Sequence, residues 1–549
     1  MAIADLSPRP PPDFVPGTVQ LVDLEGHRGV AHAEDQRDVV LIPAPSNNPD
    51  DPLNWSSARK RVLLACICIY CCGIGIPSAA IYSILVPISA DSGLTMDAFV
   101  AGTGYMFLTL GWGCLVWQPL AQKFGKRPVY LLSLLGTMGC MIWAPHATTG
   151  GQWSANKVLQ GFFGAPVESL CEISVADVWF THERGAYLSY YALFLAGSNF
   201  LAPVFGGFIN DGQGWQWVLY WCAILSGAGF LLCFFLMEET NFQRPIVLNG
   251  DPGQPLERPV SDIPITGEKT AASDEASRTD SHQAPSHMTW TSSSYWKKLR
   301  IIRAQDVHND VSLLRGLIRP FIYFRFPVVV FSGFMYGAVI CYFNVLNGTA
   351  SLILSSPPYS FRSSIVGLSY IAAVIGVAFG FLYAGYLSDR FVLWKSRRNA
   401  GVMEPEFRLW LYLGLMVIIP SSLILWGVGA AREVHWFGLI FAIGLIGATI
   451  TAGASLPIAY CIDCYKELGA DAVVTIILIR NTMSFAISYG ITPWIDNMGL
   501  QNAFILLAFA ALVQLALFLP MIEWGYTLRR SSAKAYWKYA QQIEMEGQH

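Results

Sequence analysis

Twelve long apolar stretches, separated into two groups of six by a polar insert, constrain this chain more than any other feature. A helix needs about 20 predominantly apolar residues to cross the hydrocarbon of a bilayer. The first six predicted spans are Val62–Val86, Phe99–Leu120, Pro128–Ala147, Trp153–Val178, Ala186–Ile209 and Gln216–Met237. The second six are Phe321–Leu346, Ile365–Leu387, Leu409–Ala431, Trp436–Ile462, Ala472–Trp494 and Gln501–Ile522. The pattern predicts an all-α membrane protein with 12 transmembrane helices.

Basic residues are unevenly distributed between the two sets of connecting segments. The turns near Asp91, Ala147, Asp211 and Asn497 carry no Lys or Arg, and the other two on that side carry only Arg362 and Arg432. Most of the remaining basic residues lie in the insert, near the two ends and in the alternate turns. Because cytosolic loops carry an excess of Lys and Arg, both termini and the insert are predicted to be cytosolic. The formal net charge of −3 gives no reason to expect a nucleic-acid partner.

The polar segments divide the chain into five predicted parts. Residues 1–55 are rich in Pro and acidic groups and are expected to be a disordered cytosolic segment. Spans one to six form the part 56–240, and spans seven to twelve form the part 320–525. The linker 241–319 between them ends in a predicted amphipathic helix, Trp296–Arg319, at the inner leaflet or across the cytosolic face of the bundle. Residues 526–549 are expected to form a cytosolic helix and tail.

The sequence lacks the motifs of the common hydrolytic and ATP-driven enzymes. It contains no Gly-x-x-x-x-Gly-Lys-Ser/Thr, no His-Glu-x-x-His and no Gly-x-Ser-x-Gly. None of the 12 Cys falls in a predicted external turn, and the Cys461-x-x-Cys464 pair has no partner pair at metal-ligand spacing. We therefore predict no enzymatic activity, no disulfide, no bound metal and no cofactor.

Four short motifs resemble those of a known family. The loop after span two reads Gln118-Pro-Leu-Ala-Gln-Lys-Phe-Gly-Lys-Arg127, and the loop after span eight reads Gly385-Tyr-Leu-Ser-Asp-Arg390. Both resemble the major facilitator superfamily loop Gly-x-Leu-Ala-Asp-Arg-x-Gly-Arg-Lys, and Lys157-Val-Leu-Gln-Gly161 is similar to that family's Arg-x-x-Gln-Gly. The first loop departs from the pattern at Gln118 and Gln122. The residues that carry the loop resemblance are Gln122, Lys123, Gly125, Lys126, Gly385, Asp389 and Arg390.

Span five narrows the resemblance to one branch. Ala202-Pro203-Val-Phe-Gly206-Gly207 resembles the Gly-Pro-x-x-Gly-Gly signature of proton antiporters, and small residues of this kind allow close helix packing. With Asn48-Pro-Asp-Asp-Pro-Leu-Asn-Trp55, the chain resembles the fungal drug/proton antiporter branch, and within it the yeast polyamine and histidinol transporters. The resemblance implies two pseudosymmetric six-helix bundles in the major facilitator fold, alternating access to a central site, and a monomer.

Two acids near the middle of span four are the main candidates for chemistry. Glu168 and Glu172 are four residues apart, which places them on one face of a continuous helix. Because a charge in the hydrocarbon costs about 2.5–3.5 kcal/mol on insertion scales, each such residue is expected to have a structural or functional role. Two neighbouring carboxyls repel when both are ionised, so one is expected to hold a proton near neutral pH. The alternative is a structural role, as a protonated pair or as a salt bridge to Lys157.

Other ionisable and polar residues within the spans are candidates for gating or substrate contact. Asp177 is expected to be a latch at the cytosolic end of span four, and Asp463 and Arg480 are expected to form an ion pair with a possible role in gating. Polar and aromatic side chains are suited to line a cavity for organic cations. The candidates are Tyr191, Asn199, Tyr336, Tyr342, Asn344, Tyr370, Asn481, Ser484 and Tyr489.

These features predict a proton-coupled secondary transporter of small organic molecules, cationic or amphipathic, such as drugs, toxins or polyamines. The resemblance of span five favours antiport in a fungal plasma or vacuolar membrane. Uptake by proton symport is the first alternative, because it uses the same fold. A membrane sensor that transports nothing is the second alternative.

Overall fold

The computed structural model describes residues 15–17, 19–20, 51–242, 312–399, 402–465 and 469–546. The predicted linker segment 249–294 and residues 296–311 of the predicted amphipathic helix lie outside these ranges. The helices of spans one to six are Ser57–Ala79, Met96–Phe124, Lys126–Trp143, Gly150–Gly164 with Leu170–Val178, Thr181–Gln213, and Trp215–Leu236. Those of spans seven to twelve are Pro327–Ser355, Ser363–Leu382, Tyr412–Ala431, Trp436–Cys464, Gly469–Met498, and Leu500–Ala516 with Phe518–Glu546.

Short elements connect these spans. Among the described residues, three α-helices lie between spans: Leu85–Ser92, Leu313–Ile322 and Ser388–Arg398. Turns of 3-10 helix are Pro52–Asn54, Ala80–Ser83, Ala144–His146, Ala165–Glu168, Tyr323–Arg325 and Pro405–Leu411, and Tyr383–Leu387 is a turn of π-helix. The strands β1, Val19–Gln20, and β2, Val402–Met403, form an antiparallel pair. Helix Leu313–Ile322 overlaps the end of the predicted amphipathic helix, and the predicted C-terminal helix continues directly from span twelve.

Eleven stretches of the described chain are long and apolar enough to cross a membrane. Span four is the twelfth, and it is absent from that set because it is broken into helices of 15 and 9 residues. Pro166 stands in the 3-10 turn Ala165–Glu168 that separates them. Proline lacks a backbone N–H and clashes with the preceding turn, so it favours such a break. The predicted all-α membrane architecture is confirmed, with one span discontinuous.

Four carbonyl groups at the break in span four accept hydrogen bonds from side chains of neighbouring helices. In a membrane such groups must be satisfied by protein, because the hydrocarbon offers no water. The four bonds are Trp117 Nε1 to Phe162 O at 2.7 Å, Ser133 Oγ to Phe163 O at 2.5 Å, Cys114 Sγ to Ala165 O at 3.3 Å, and Tyr191 OH to Val167 O at 2.9 Å. The break is therefore held in place by spans two, three and five.

The bundle has two faces at its two ends. We call the face where span two turns into span three, at Phe124–Lys126, the basic face, and the face where spans one and two are joined the opposite face. At the opposite face, spans five and eight are in close contact. A methyl group on Gly207 would lie 2.2 Å from the Ser363 carbonyl oxygen, and one on Gly367 would lie 2.4 Å from that of Pro203. Only glycine permits this approach.

Spans two and eleven form the second contact between the halves. A methyl group on Gly111 would lie 2.6 Å from Cβ of Asn481, and one on Gly104 would lie 3.0 Å from Cβ of Ser488. Trp112 Nε1 also donates to Thr482 Oγ1 at 3.1 Å. The halves are thus packed against each other through the helix pairs two with eleven and five with eight.

Part of the predicted disordered segment 1–55 is ordered, so that prediction is wrong for residues 15–17, 19–20 and 51–55. Asp51 and Trp55 are buried against the N-terminal half, and Asp51 caps the turn Pro52–Asn54 through a 3.0 Å bond to Leu53 N. Val15 and Pro16 are buried against the C-terminal half, where β1 pairs with β2. The ordering arises from contacts with distant segments, which composition does not reveal.

Candidate substrate and proton site

An ion pair between the halves lies at mid-depth in the bundle. Glu168, at the end of the 3-10 turn in span four, accepts a hydrogen bond from the guanidinium of Arg480 in span eleven. Arg480 lies 11 residues into its helix, or about 16 Å along its axis, near the middle of a hydrocarbon core of about 30 Å. The side chains are only 14% and 9% exposed, so each charge depends on the other for compensation.

Tyr336 of span seven completes the surroundings of Arg480. Its hydroxyl accepts a 2.7 Å hydrogen bond from Nη1 of Arg480, and the guanidinium carbon lies 4.7 Å from the centre of its ring. A cation over an aromatic face is stabilised by the ring quadrupole. Arg480 therefore has partners from both halves of the chain, and it retains Tyr336 if the bond to Glu168 is broken.

Glu172 lies beside this pair without a direct partner. It is half-buried in the first turn of helix Leu170–Val178, where the helix dipole favours an anion. Glu168 and Arg480 are both close enough to act on it electrostatically, but within the described chain its carboxylate makes no hydrogen bond or ion pair. The site thus combines two carboxylates with one guanidinium.

Two details of the span-four prediction are wrong. Glu168 and Glu172 do not share the stripe of a continuous helix, because the break ends at Glu168 and a new helix starts at Leu170. Lys157 is not a partner of Glu168. Its ammonium donates to Gln160 Oε1 at 2.8 Å and lies 4.9 Å from the centre of the Trp153 ring, with no exposed surface.

The predicted ion pair between Asp463 and Arg480 is also wrong. Asp463 stands at the basic end of span ten and accepts a 2.6 Å bond from Nε of Arg408, while Arg480 is deeper in the bundle and binds Glu168. Arg408 also contacts Asp389 at 3.1 Å, so it links the loop after span eight to span ten. Arg408 is a charge partner that the sequence pattern did not indicate.

The N-terminal half has a matching ion pair at the basic face. Lys126, at the start of span three, binds Asp177 near the end of span four, as Arg408, before span nine, binds Asp463 near the end of span ten. This correspondence follows the predicted duplication of six spans, and comparing the halves position by position could have identified Arg408. The contact expected of Asp177 is present, while its role as a latch stays a prediction.

The residues of the two loop motifs differ from one another in conformation and in the groups that they contact. Gly125 has φ +100°, and a methyl group there would lie 2.5 Å from Oε2 of Glu239, so the turn requires glycine. The carbonyl of Gln122 accepts from Asn241 Nδ2 at 3.0 Å, and Lys123 lies 5.7 Å from the Phe124 ring. In the second loop, Gly385 lies in the π-helical turn with open space around it, and Arg390 stacks on Tyr386 at 4.4 Å.

Span five brings its signature glycines to interhelical contacts. A methyl group on Gly206 would lie 2.4 Å from the Ala80 carbonyl oxygen of span one, and Gly207 faces span eight as described above. The carbonyl of Pro203 accepts a 2.7 Å bond from Ser83 Oγ. These three positions therefore lie where span five contacts spans one and eight near the opposite face.

Two of the candidate cavity residues contact Arg480 of the Glu168–Arg480 pair. Tyr336, in span seven, accepts the hydrogen bond described above. Asn481, the next residue after Arg480, accepts a 3.4 Å bond through Oδ1 from Arg480 Nη2. The others make separate contacts: Tyr191 to Val167 O, Asn199 to Leu195 O, Tyr342 to Gln514, Tyr370 to Asn347, and Tyr489 against the rings of Tyr105 and Phe485. Their contact with substrate stays a prediction.

Asn344 and Ser484 are buried polar residues whose side-chain atoms have no hydrogen-bond partner among the described residues. Asn344 lines a small cavity between the halves, which it shares with Tyr82, Thr103, Asn347 and Ser488. This cavity holds neither Glu168 nor Arg480. It is therefore separate from the charged site.

Comparisons with known proteins give consistent results. The family model described as the Major Facilitator Superfamily matches residues 63–470. An uncharacterised MFS-type transporter of Schizosaccharomyces pombe is 30% identical over 96% of this chain and 94% of its own length. Protein HOL1 of Saccharomyces cerevisiae is 27% identical over 96% and 97% of the two chains, and the MFS-type transporter tndD of Aspergillus flavipes is 24% identical over 88% and 85%. A crystal structure of the human organic anion transporter MFSD10 (TETRAN) is 13% identical, with a TM-score of 0.49 over 84% of this chain and 99% of that one.

Proposed function

The chain belongs to the major facilitator superfamily of membrane transporters, and we propose that it is a proton-coupled antiporter of small organic cations. The observation that carries the proposal is the ion pair between Glu168 and Arg480, with Glu172 beside it. Charged groups at this depth are costly, and in membrane proteins they commonly mark ion pathways and proton relays. A structural clamp needs one acid for one base, and here a second acid is present.

The charges of the site explain why a proton and a cation compete. Two ionised carboxylates and one guanidinium leave one net negative charge among Glu168, Glu172 and Arg480. Either a proton on a carboxyl or one cationic group of the substrate beside it makes the site neutral. Because a net charge is unfavourable in poorly hydrated surroundings, the site favours one of these ligands at a time. Binding of the cation then releases the proton, and the reverse holds by linkage.

Arg480 acts in this scheme as an internal cation that occupies the place of the substrate. When an organic cation approaches Glu168, Arg480 shifts its hydrogen bonding to the hydroxyl and ring of Tyr336, which already contact it. The guanidinium therefore stays compensated in part throughout the exchange. Because Glu168 belongs to the N-terminal half and Arg480 to the C-terminal half, loading of the site also changes the attraction between the halves.

Alternating access supplies the transport step. In this family the two bundles rock about a site between them, and discontinuous helices are often found at such sites. Glu168 lies at the break of span four, and the contacts of spans five and eight close the opposite face. Exposure of the loaded site first to one face and then to the other exchanges a proton for a cation across the membrane.

Orientation and substrate class complete the proposal. The positive-inside rule places the basic face, both termini and the linker in the cytosol. The resemblance to fungal drug/proton antiporters favours export of drugs, toxins or polyamine-like solutes across a plasma or vacuolar membrane. The charged site does not require a second subunit, so we propose that the monomer is sufficient.

Transport by the purified protein in liposomes tests this proposal. Labelled spermidine is added outside vesicles with an acidic lumen, and the membrane potential is clamped with valinomycin and equal potassium on both sides. Antiport predicts that spermidine accumulates inside, because outward movement of protons drives inward movement of the cation. Collapsing the pH gradient with nigericin is expected to abolish accumulation.

The control is Asp496→Asn, which removes an exposed carboxylate from the same helix as Arg480 and is expected to leave accumulation unchanged. Glu168→Gln is expected to abolish it. Accumulation driven by an acidic exterior would identify a symporter and contradict antiport. If a panel of spermidine, other polyamines and lipophilic organic cations shows no flux under either gradient, the proposal of a cation exchanger is wrong.

A further inference from the structure

A groove on the basic face of the C-terminal half is occupied by the chain's own residues Val15–Gly17 and β1. The groove is formed by β2 with Pro405, by the end of span ten at Asp463 and Cys464, and by Arg529 of the helix that continues span twelve. We propose that this groove is a peptide-binding site and that residues 15–20 are its ligand. Nothing in the transport scheme requires this contact.

Arg529 is the polar anchor of the groove. Its side chain has no exposed surface, and Nη1 donates to the carbonyl oxygen of Pro16 at 2.6 Å. The same guanidinium holds Glu406 through two bonds, Nε to Oε1 at 2.9 Å and Nη2 to Oε2 at 2.8 Å. The buried Arg529–Glu406 pair therefore presents an aligned N–H to the backbone of an incoming peptide. A charge-assisted bond of this type is stronger than a neutral one.

Gly17 makes the site selective for a small residue. Its φ of +87° is disfavoured for residues with a side chain, and a methyl group there would lie 2.9 Å from both the carbonyl oxygen of Asp463 and Cα of Cys464. The Pro405 ring would be 3.1 Å from the same methyl group. Both strain and lack of space therefore exclude larger residues, and the peptide backbone lies directly against the end of span ten.

Pairing of β1 with β2 fixes the register of the peptide. Val19 is opposite Met403, and Gln20 is opposite Val402. Addition of an extended peptide to an exposed strand is a common mode of peptide recognition, in which backbone bonds supply affinity. The three features together specify a ligand with a carbonyl for Arg529, glycine at the next position, and an extended segment two residues later.

The segment of residues 15–17 and 19–20 belongs to the same chain as its groove. Attachment to the same chain keeps the local concentration of the segment high, so even a weak site stays occupied. Because Gly17 rests on the backbone of Asp463, bound peptide is expected to stabilise the neighbouring Arg408–Asp463 ion pair.

A disulfide trap in the full-length protein tests the geometry. Residues opposite each other in an antiparallel pair are separated by about 4.5–5.5 Å between Cα atoms, within reach of a disulfide. Val19→Cys with Met403→Cys is expected to cross-link under mild oxidation. The register control, Gln20→Cys with Met403→Cys, points the two thiols to different faces of the pair and is expected not to cross-link. A protease site inserted after Gln20 makes the cross-link visible, since the N-terminal fragment stays attached until reduction.

Displacement and rescue test the ligand itself. Gly17→Leu is expected to abolish the trap and to lower the melting temperature, and a synthetic peptide of residues 12–24 added in trans is expected to restore the melting temperature. The same peptide with Leu at position 17 is the control. Equal cross-linking of the two cysteine pairs, an unaltered trap in Gly17→Leu, or equal rescue by both peptides would overturn the assignment. These readouts do not depend on transport.

Discussion

Removing the charges of Glu168 and Arg480, one at a time and together, separates a structural role of this pair from a transport role. Loss of one partner of a buried ion pair costs about 3–5 kcal/mol, because the remaining charge is uncompensated. For Glu168→Gln we expect the lower end of that range, about 3 kcal/mol. The Gln amide oxygen still accepts a bond from Arg480, which also keeps its 2.7 Å bond to Tyr336. For Arg480→Gln a similar loss is expected, since Glu168 and Glu172 lose their common cation.

The double variant Glu168→Gln/Arg480→Gln removes both charges and leaves two amides that can bond to each other. Replacing a buried ion pair with neutral groups is often close to neutral for stability. We therefore expect it to lose only about 1 kcal/mol, against about 6 kcal/mol if the two single losses were additive, which corresponds to an interaction energy of about 5 kcal/mol in the double-mutant cycle. Transport is expected to behave differently. All three variants should lack proton-driven accumulation, because none keeps both Glu168, which the substrate cation contacts, and Arg480, which occupies the place of the substrate between loadings.

Stability is measured by thermal unfolding with a maleimide dye that reacts with cysteines as they become exposed. Eleven of the 12 cysteines are buried in the folded chain, so the signal follows unfolding. Accumulation of labelled spermidine in liposomes is measured on the same preparations. Recovery of both stability and accumulation in the double variant would refute the transport role and leave the pair as a structural clamp. Unchanged stability in the single variants would refute the ion pair itself.

Three further predictions concern the surroundings of this pair. Glu172→Gln leaves a site in which the charges of Glu168 and Arg480 cancel. The affinity for the cation, measured by calorimetry, is therefore expected to fall even in alkaline buffer, where protons do not compete. An unchanged affinity would exclude Glu172 from the site. Pro166→Ala restores a backbone N–H and favours a continuous helix, which turns Glu168 away from its partner. Accumulation and the melting temperature should both fall, because Arg480 loses its buried partner, and full accumulation would show that the break is dispensable. Gly207→Ala should lower the melting temperature, because its methyl group meets a span-eight carbonyl at 2.2 Å, whereas Gly197→Ala in the same helix enters open space; equal effects would argue against this contact.

Much of the architecture was predictable because few backbone structures are stable in the hydrocarbon of a bilayer. A backbone in hydrocarbon must satisfy its own hydrogen bonds, so each long apolar stretch becomes a helix. The break in span four was not predictable from Pro166 alone. Pro77, Pro119 and Pro203 also lie within spans, and those helices continue through them. Donors from neighbouring spans do not by themselves distinguish the break, because Gly73 O, one turn before Pro77, also accepts a 2.8 Å bond from Ser226 Oγ of span six. The outcome at each proline depends on the folded arrangement.

The charged residues illustrate the same limit. Glu168 and Glu172 were identifiable because acids in the middle of an apolar span are costly and therefore informative. Their partner was not identifiable, because Arg480 lies eight residues into predicted span eleven and Asp463 directly follows predicted span ten, and pairing depends on which helices cross at which depth. Likewise, composition marked residues 1–55 as polar, while the docking of Gly17 depends on a groove formed by residues about 400 positions away.

Proton release on binding of substrate tests the central claim most directly. The purified protein in weakly buffered detergent solution is mixed with spermidine at neutral pH, and the change in free proton concentration is followed with a pH indicator. The exchange scheme predicts that protons are released as the cation binds, and that Glu168→Gln/Glu172→Gln releases none. Binding detected by calorimetry without any release of protons from the unmodified protein would contradict competition at this site.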